Sequence, residues 1–271
     1  MIRTRKRFGQ HFLAPEWVDK VVRAIAPQPD QAFIEIGPGA GALTRPLAER
    51  AGSVTAFEID RDLAAALAAA SIPNLIVVQG DFLQTARPES LAPSPCRVVG
   101  NLPYNVASPI MFKLVELYAA GVALVDATLM LQREVADRLV APPGSKEYGV
   151  LSILIGHAAD VETVLKLPAG AFRPPPKVLS SLVRLRFRAP DPPVIDAVMF
   201  EALVQAVFTR RRKTMANALL ALDVRSGPPL PRPAEALAAA GLDGARRPET
   251  LSIAEFARLS DAYVLLRRAV L

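Results

Sequence analysis

Five short apolar runs, at residues 32–36, 54–59, 75–79, 97–100 and 127–131, alternate with stretches of helical periodicity at 15–26, 42–50, 61–70 and 108–118. This alternation leaves few folds open. Strands joined by helical crossovers pair in parallel, and each face of the resulting sheet needs a layer of helices. Ligands on such sheets sit beyond the carboxyl ends of the strands, so the residues directly after each apolar run are the ones to read for chemistry. Past Ala189 the texture changes. Pro190-Asp191-Pro192-Pro193 reads as a linker, because proline removes backbone donors and stiffens the chain. Helical patterns follow at 195–209, 213–222, 233–240 and 253–268, with a second proline-rich break at 227–233. The expected organisation is an α/β domain over 1–189 and a small helical domain over 190–271. With 51% of its 271 residues hydrophobic, the chain can bury a core in both.

Composition excludes several chemistries. Cys96 is the only cysteine, so no intrachain disulfide forms and no thiolate zinc site can be built. His11 and His157 are the only histidines, and no metal is expected. The basic start, Met1 to Arg7, runs into Gln10, His11, Glu16 and Asp19 rather than into the apolar core of a signal peptide. No run of about 18 uncharged apolar residues appears, so no membrane span is expected and the cytoplasm is the expected location. A net charge of +6 favours an anionic partner, nucleic acid before membrane.

The first motif with chemistry in it is Glu35-Ile36-Gly37-Pro38-Gly39-Ala40-Gly41, at the end of the first strong strand. Glycines there let the backbone turn tightly and approach a ligand with no Cβ in the way. Glu58 ends the second run, where a carboxylate can accept both hydroxyls of a ribose. With Ala42 in the last position the loop also satisfies the dinucleotide pattern, so alone it does not separate NAD from S-adenosylmethionine. Asp81, in Gln79-Gly80-Asp81, reads equally as an acceptor for the N6 amino group of a cofactor adenine and as a helix N-cap.

The decisive element is Asn101-Leu102-Pro103-Tyr104, directly after the fourth run. Exocyclic amines of bases are poor nucleophiles because the nitrogen lone pair is delocalised into the ring. Two acceptors aimed at the amino hydrogens draw that nitrogen toward a tetrahedral geometry, and the Asn101 side-chain oxygen and the Leu102 carbonyl suit this task. Pro103 fixes its own φ and restricts Leu102 before it. Tyr104 offers a flat face on which an extruded base can stack. Catalysis of this kind is positioning and electrostatics, with the proton leaving to water after transfer.

Together these stretches resemble the KsgA family of ribosomal RNA adenine dimethyltransferases, which is related to the Erm resistance methyltransferases. The resemblance is carried by residues 7–13 (Arg-Phe-Gly-Gln-His-Phe-Leu), 35–41, Glu58-Ile59-Asp60, 101–104, Leu131-Gln132-Arg133-Glu134-Val135, 172–178 (Phe-Arg-Pro-Pro-Pro-Lys-Val) and Arg211-Arg212-Lys213-Thr214. It runs from Arg5 to the C-terminal helix. It implies a Rossmann-like class I methyltransferase domain with a mostly parallel seven-stranded sheet, followed by a small C-terminal α-helical domain. It further implies S-adenosylmethionine as methyl donor and a monomer that acts on 16S rRNA within an immature 30S subunit.

By the same resemblance, His11 and Leu13 line the cofactor pocket and Gly37 and Gly39 lie beside the methionine moiety. Glu58 holds the ribose, Asp81 the adenine, and Asn101 bridges cofactor and target base. Phe172 stacks on that base opposite Tyr104, with Pro174, Pro175 and Pro176 stiffening its loop. Two positions depart from the family pattern. His11 stands where asparagine is more usual, and Leu179-Ser180 follows Lys177-Val178 where Asp-Ser is common.

Three basic segments remain. Arg3, Arg5, Lys6 and Arg7 form an arm that reads as an RNA contact or as a solvated tail. Residues 183–188, Val-Arg-Leu-Arg-Phe-Arg, place three arginines on one strand face, for phosphate contact or as the inert face of an edge strand. Arg210-Arg211-Arg212-Lys213 brings four cations together, a repulsion that phosphates relieve, and RNA contact is expected there. Trp17, Phe200 and Phe208 read as core and His157 as structural. The expected activity is dimethylation of N6 of two adjacent adenines in the 3′-terminal hairpin loop of small-subunit RNA, with residues 211–214 and 251–256 setting the chain apart from the Erm type. The alternatives are an Erm-type enzyme acting on 23S rRNA, or a small-subunit assembly factor with secondary catalysis. An NAD-linked oxidoreductase gives no reason for residues 101–104 or for Phe172.

Overall fold

The structure, a computed structural model, describes residues 12–88, 91, 95–103, 105–223 and 230–269. In chain order the strands are β1 (Phe12–Leu13), β2 (Ala32–Ile36), β3 (Ser53–Glu58), β4 (Leu75–Gln79), β5 (Cys96–Asn101), β6 (Leu124–Gln132), β7 (Ala159–Leu167), β8 (Phe172–Arg173) and β9 (Ser180–Phe187). Seven of them form one sheet in the order β4-β3-β2-β5-β6-β9-β7, while β1 pairs with β8. Strands β4 through β6 run parallel and β9 lies antiparallel to β6. This is the mostly parallel seven-stranded sheet of the class I methyltransferase fold. Its central strands are apolar along their length because helices cover both faces: Phe33, Ile34, Val54, Ala56, Val98 and Val99 are all buried.

Helices α1 (Pro15–Ile25), α2 (Thr44–Ala48), α3 (Arg61–Ala68), α4 (Phe82–Thr85) and α5 (Ala107–Ala119) fill the crossovers, and later helices include α6 (Arg133–Leu139) and α10 (Pro233–Ala239). The first begins with proline at its first turn, where a missing N–H costs nothing, and turns Val21, Val22 and Ile25 inward. It ends at Ala26, whose φ of 53° is left-handed. The carbonyls orphaned at that end are taken up by arginines from the sheet. Arg97 donates from Nη2 to Ile25 O at 2.9 Å, and Arg184 donates from Nη2 to Ala24 O. Arg97 also holds Asp126 through Nε and Nη2, at 3.0 and 2.8 Å, with both residues buried. Cations at a helix C-terminus are favoured by its dipole, and the paired carboxylate offsets their desolvation.

This network corrects the reading of residues 183–188. Strand β9 is interior rather than an edge, and its arginines are tied into the protein. Arg184 reaches Asp126 and Glu162, and Arg186 meets Glu162 at 2.7 Å. Arg188 donates to the carbonyls of Gly156 and His157.

The chain forms two compact units. One takes the described residues up to Ala136 together with Asp160–Phe187, the other Asp137–Ala159 together with the chain from Arg188. The segment 137–159 is thus part of the second unit, although it lies before Ala189. Within that unit α7 (Val150–Ala158) packs against α8 (Ala197–Thr209) and α11 (Ile253–Arg268). Tyr148 donates its hydroxyl to Leu251 O at 2.9 Å. His157 is structural, with its ring 4.5 Å from Phe200 and Nε2 2.6 Å from Pro192 O. Helix α11 opens with a capping box in which Glu255 Oε2 accepts from Ser252 N and Ser252 Oγ accepts from Glu255 N. Arg246 clamps the same carboxylate, and these hydrogen bonds hold Glu255 down to about 2. Phe200 is buried, and Trp17 and Phe208 are partly so, as core residues. Among the described residues, no helix is long and apolar enough to cross a membrane.

The Arg97–Asp126 pair gives a direct test. Arg97→Met leaves a buried carboxylate with only the more distant Arg184 to answer it, and should lower the free energy of unfolding in denaturant by about 3–5 kcal/mol. A loss below about 1 kcal/mol would contradict this role.

Candidate active site

Parallel pairing in register brings the carboxyl ends of four strands side by side. Ile36 lies opposite both Phe57 and Gly100, and Glu58 lies opposite Gln79. The segments that leave the sheet there are the glycine loop, Glu58-Ile59, Gly80-Asp81 and Asn101-Leu102-Pro103. The structure thus gathers at one edge the segments that sequence reading singled out.

The glycine loop is shaped by positive φ at Gly37 and Gly39, 70° and 58°. A Cβ built at Gly37 meets nothing within 4 Å, so the backbone faces open space rather than packed protein. The loop is tied to β3 twice. Gly37 N donates to Phe57 O at 2.9 Å, and Gly39 N donates to Glu58 Oε2 at 2.9 Å. The other Glu58 oxygen accepts from Asp60 N at 2.8 Å. Glu58 is therefore a buried carboxylate, 3% exposed, that fixes the loop on one side and the start of α3 on the other. Ile59, directly beyond it, is an exposed apolar side chain at the same edge.

Strand β5 is drawn close to the glycine loop by Gly100, where a Cβ would come within 2.8 Å of Ile36 O. This approach sets Asn101 beside the loop. Leu102 anchors the next turn: its side chain is buried and its N–H donates to Met130 O at 3.3 Å. Pro103 O accepts from Val106 N at 3.1 Å, closing the turn into α5. Asn101 and Pro103 are half-buried.

Asp81 performs the role of a cap. Its Oδ1 accepts from Leu83 N at 3.0 Å at the start of α4. The cap occupies one carboxylate oxygen and keeps the group at the mouth of the sheet edge, so the capping and adenine-binding readings are compatible.

Glu35 is a site residue to which sequence reading assigned no task. It is buried beneath the loop, and burial pushes its carboxyl up to about 7. The neighbouring Glu58 charge adds to the rise. Glu35 Oε2 and Thr44 Oγ1 are buried without a hydrogen-bond partner among the described residues. Two adjacent buried carboxylates, one of them unsatisfied, make the floor of this loop receptive to a cation. The only signal in the sequence was its place as the acidic residue that opens the glycine motif.

Other candidates fall elsewhere. Leu13 is buried in the core cluster with Phe172, and the two pair across β1 and β8. Phe172 is 2% exposed, with its ring in that apolar cluster beside Leu43 and Met130. Arg211 is engaged within the protein. It is half-buried in the second unit, donating to Ser145 O at 3.1 Å and approaching Glu249 at 3.8 Å. Arg210, Arg212 and Lys213 are exposed in the turn between α8 and α9 (Met215–Ala218). Arg5, Arg7, His11 and Tyr104 lie outside the described residues. No cluster of three or more metal-ligating side chains occurs among the described residues.

These features fit an adenosyl cofactor that carries positive charge: an open glycine backbone, a fixed carboxylate at a strand tip, an apolar neighbour and an unsatisfied buried acid. The class I methyltransferase fold takes S-adenosylmethionine at this edge.

A family model described as ribosomal RNA adenine dimethylase matches residues 1–261. The ribosomal RNA small subunit methyltransferase A of Idiomarina loihiensis is 43% identical over 263 residues, 96% of this chain and 87% of that protein. Its counterpart in Acinetobacter baylyi is 43% identical over 272 residues, covering 97% of this chain and 93% of the relative. Among solved structures, a dimethyladenosine transferase from Plasmodium falciparum aligns with a TM-score of 0.74 at 25% identity, over 92% of this chain and 96% of the other. The 23S rRNA methyltransferase ErmE aligns with a TM-score of 0.64 at 31% identity, over 93% and 99%.

The raised Glu35 carboxyl has a consequence for stability. Between the ordinary value of 4.5 and about 7, the folded chain holds a proton that the unfolded chain releases, so stability falls as pH rises through that window. Without cofactor, unfolding at pH 8 should cost less than at pH 5, by up to about 3 kcal/mol from this group. Glu35→Gln should flatten the decline. An equally steep decline in the variant would contradict the assignment.

Proposed function

We propose that this chain, which belongs to the ribosomal RNA adenine dimethylase family, dimethylates N6 of two adjacent adenines in the 3′-terminal hairpin loop of 16S rRNA as the small subunit matures. The observation that carries this reading is the placement of Asn101, Leu102 and Pro103 beside the glycine loop, held there by Gly100 and by Leu102 N on Met130 O. S-adenosylmethionine, when bound, supplies an electrophilic methyl group on a sulfonium sulfur.

The chain's own residues do the rest. Glu58 receives the ribose hydroxyls with the lone pairs not used by Gly39 and Asp60. Ile59 covers the adenine of the cofactor, and Asp81 accepts from its amino group. The Glu35 carboxylate attracts the methionine ammonium toward the loop. Asn101 Oδ1 and the Leu102 carbonyl accept the two amino hydrogens of the target adenine, which turns the nitrogen lone pair out of the ring plane. Tyr104 gives the extruded base its stacking face. No general base is required, because the proton leaves to water after transfer and the rate gain comes from position and charge. The helical domain contributes phosphate contacts through Arg210, Arg212 and Lys213, without Arg211. Small-subunit maturation places the enzyme in the cytoplasm.

The Erm-type reading has an observation on its side in the alignment with ErmE. The small-subunit reading is favoured because identity to the small subunit methyltransferases is 43%, against 31% to ErmE.

Asn101→Ala separates catalysis from binding. Turnover on undermethylated small subunits should fall by about 100-fold or more, while the Kd for cofactor stays within about threefold, since the lost interaction is realised mainly in the transition state. Near-normal turnover would sink the role given to Asn101.

A further inference from the structure

The loop that connects β8 to β9 rises from the same edge of the sheet. In the antiparallel pairing of β9 with β6, Leu182 lies opposite Met130, which in turn lies opposite Asn101 on β5. Leu179 is three residues further toward the carboxyl edge. Its carbonyl accepts from Arg133 N at 2.9 Å, which extends the ladder past the end of β6. With strand spacing of about 4.8 Å and a rise of about 3.3 Å per residue, Leu179 stands about 10 Å across from Asn101 and about 10 Å above it.

At that height the chain exposes two neighbouring apolar side chains, Val178 at 42% and Leu179 at 45%. Exposed cations surround them: Lys177 beside them in the loop, Arg133 where the ladder ends and Arg173 where the loop begins. Arg173 meets the exposed Glu16 at 3.7 Å. Pro176 is buried and pins the loop between Arg173 and Val178. An apolar pair set among cations, next to a site that takes an extruded base, offers apolar area for a base face and cations for the flanking phosphates. The position of Leu179 is also where this chain departs from the acidic residue common in the family it resembles, and the departure removes a negative charge from the path of an RNA strand.

We infer that Val178 and Leu179, flanked by Arg133, Arg173 and Lys177, form a shelf that binds a nucleotide adjacent to the target adenine and so sets which RNA strand is accepted. The inference rests on the reading of the chain as an RNA adenine methyltransferase. The base lies against the two apolar side chains, and the phosphates on either side meet the cations. Nothing in this contact alters the cofactor pocket.

The test is the double variant Val178→Ser/Leu179→Ser, with Lys177→Glu beside it. Three quantities are read: kcat/KM for methyl transfer to undermethylated small subunits, the Kd for protein-free small-subunit RNA, and the Kd for S-adenosylmethionine. The serine variant should lose roughly 5–10-fold in kcat/KM and in RNA affinity, in keeping with loss of one base contact, and keep its cofactor Kd. Its dependence of RNA affinity on salt should keep the wild-type slope, whereas Lys177→Glu should make that slope shallower. RNA affinity and kcat/KM within twofold of wild type would overturn the inference. So would a loss seen with particles and not with protein-free RNA, because the shelf would then face a ribosomal protein. Absence of methyl transfer by the wild type would overturn the functional reading instead, and the comparison of RNA affinities would still decide the shelf.

Discussion

The site depends on one buried carboxylate. Glu58 holds the N–H of Gly39 with one oxygen and the N–H of Asp60 with the other, so a single side chain fixes both the glycine loop and the entry to α3. Glycine gives the loop its turn and also its freedom, and that freedom has to be removed before a ligand can be bound with useful affinity. Glu58 removes it from the far side of β3. The same anchoring creates an electrostatic problem. Glu35 sits beneath the loop, and the cost of burying its charge, with the neighbouring Glu58 charge adding to it, appears as the raised Glu35 carboxyl and its unsatisfied oxygen. A ligand that brings positive charge to this loop resolves the problem, which ties the shape of the loop to the kind of cofactor it takes.

The two ends of the sheet divide the work. At the amino-terminal edge, Arg97, Asp126 and Arg184 satisfy one another and the last carbonyls of α1, leaving a dense and closed network. At the carboxyl-terminal edge the polar groups are held but not exhausted. Glu58 uses both carboxylate oxygens for backbone N–H groups and Asp81 uses one, and each keeps lone pairs for a ligand. The satisfied network is concentrated at the amino-terminal edge, while the binding edge carries unsatisfied groups that cost free energy until a ligand arrives.

Much of this was legible in the sequence because it is local. Strands β2 and β4 and helix α11 fall on the residues that periodicity picked out, and the glycine loop, Glu58 and Asn101 follow strands as expected. What was not legible depends on distant partners. Helix α7 reads Val-Leu-Ser-Ile-Leu-Ile-Gly-His-Ala, apolar on every side, and a short run of that kind has no period to separate a buried helix from a strand. Its burial comes from α8 and α11, far along the chain. The alternation of residues 183–188 suggested a half-exposed strand with an outward arginine face, yet Arg184 is half-buried and turned into the protein, where Asp126, on the adjacent strand, answers its charge. Phe172 matches a base-stacking motif by type and place, and only the packing around β1 and β8 shows its ring in the apolar cluster. Asp81 carried two readings that the sequence left equal, and the structure makes them compatible rather than choosing between them.

Membership of the ribosomal RNA adenine dimethylase family makes RNA adenine the substrate class, and the role proposed for Asn101 concerns its exocyclic amine. The most direct measurement is to give the purified protein methyl-labelled S-adenosylmethionine with undermethylated small subunits and, in parallel, large subunits, and then to map the label in digested RNA by mass spectrometry. Two adjacent N6,N6-dimethyladenines in the 3′-terminal hairpin of small-subunit RNA are the expected result. Label in large-subunit RNA, or in neither RNA, would contradict it.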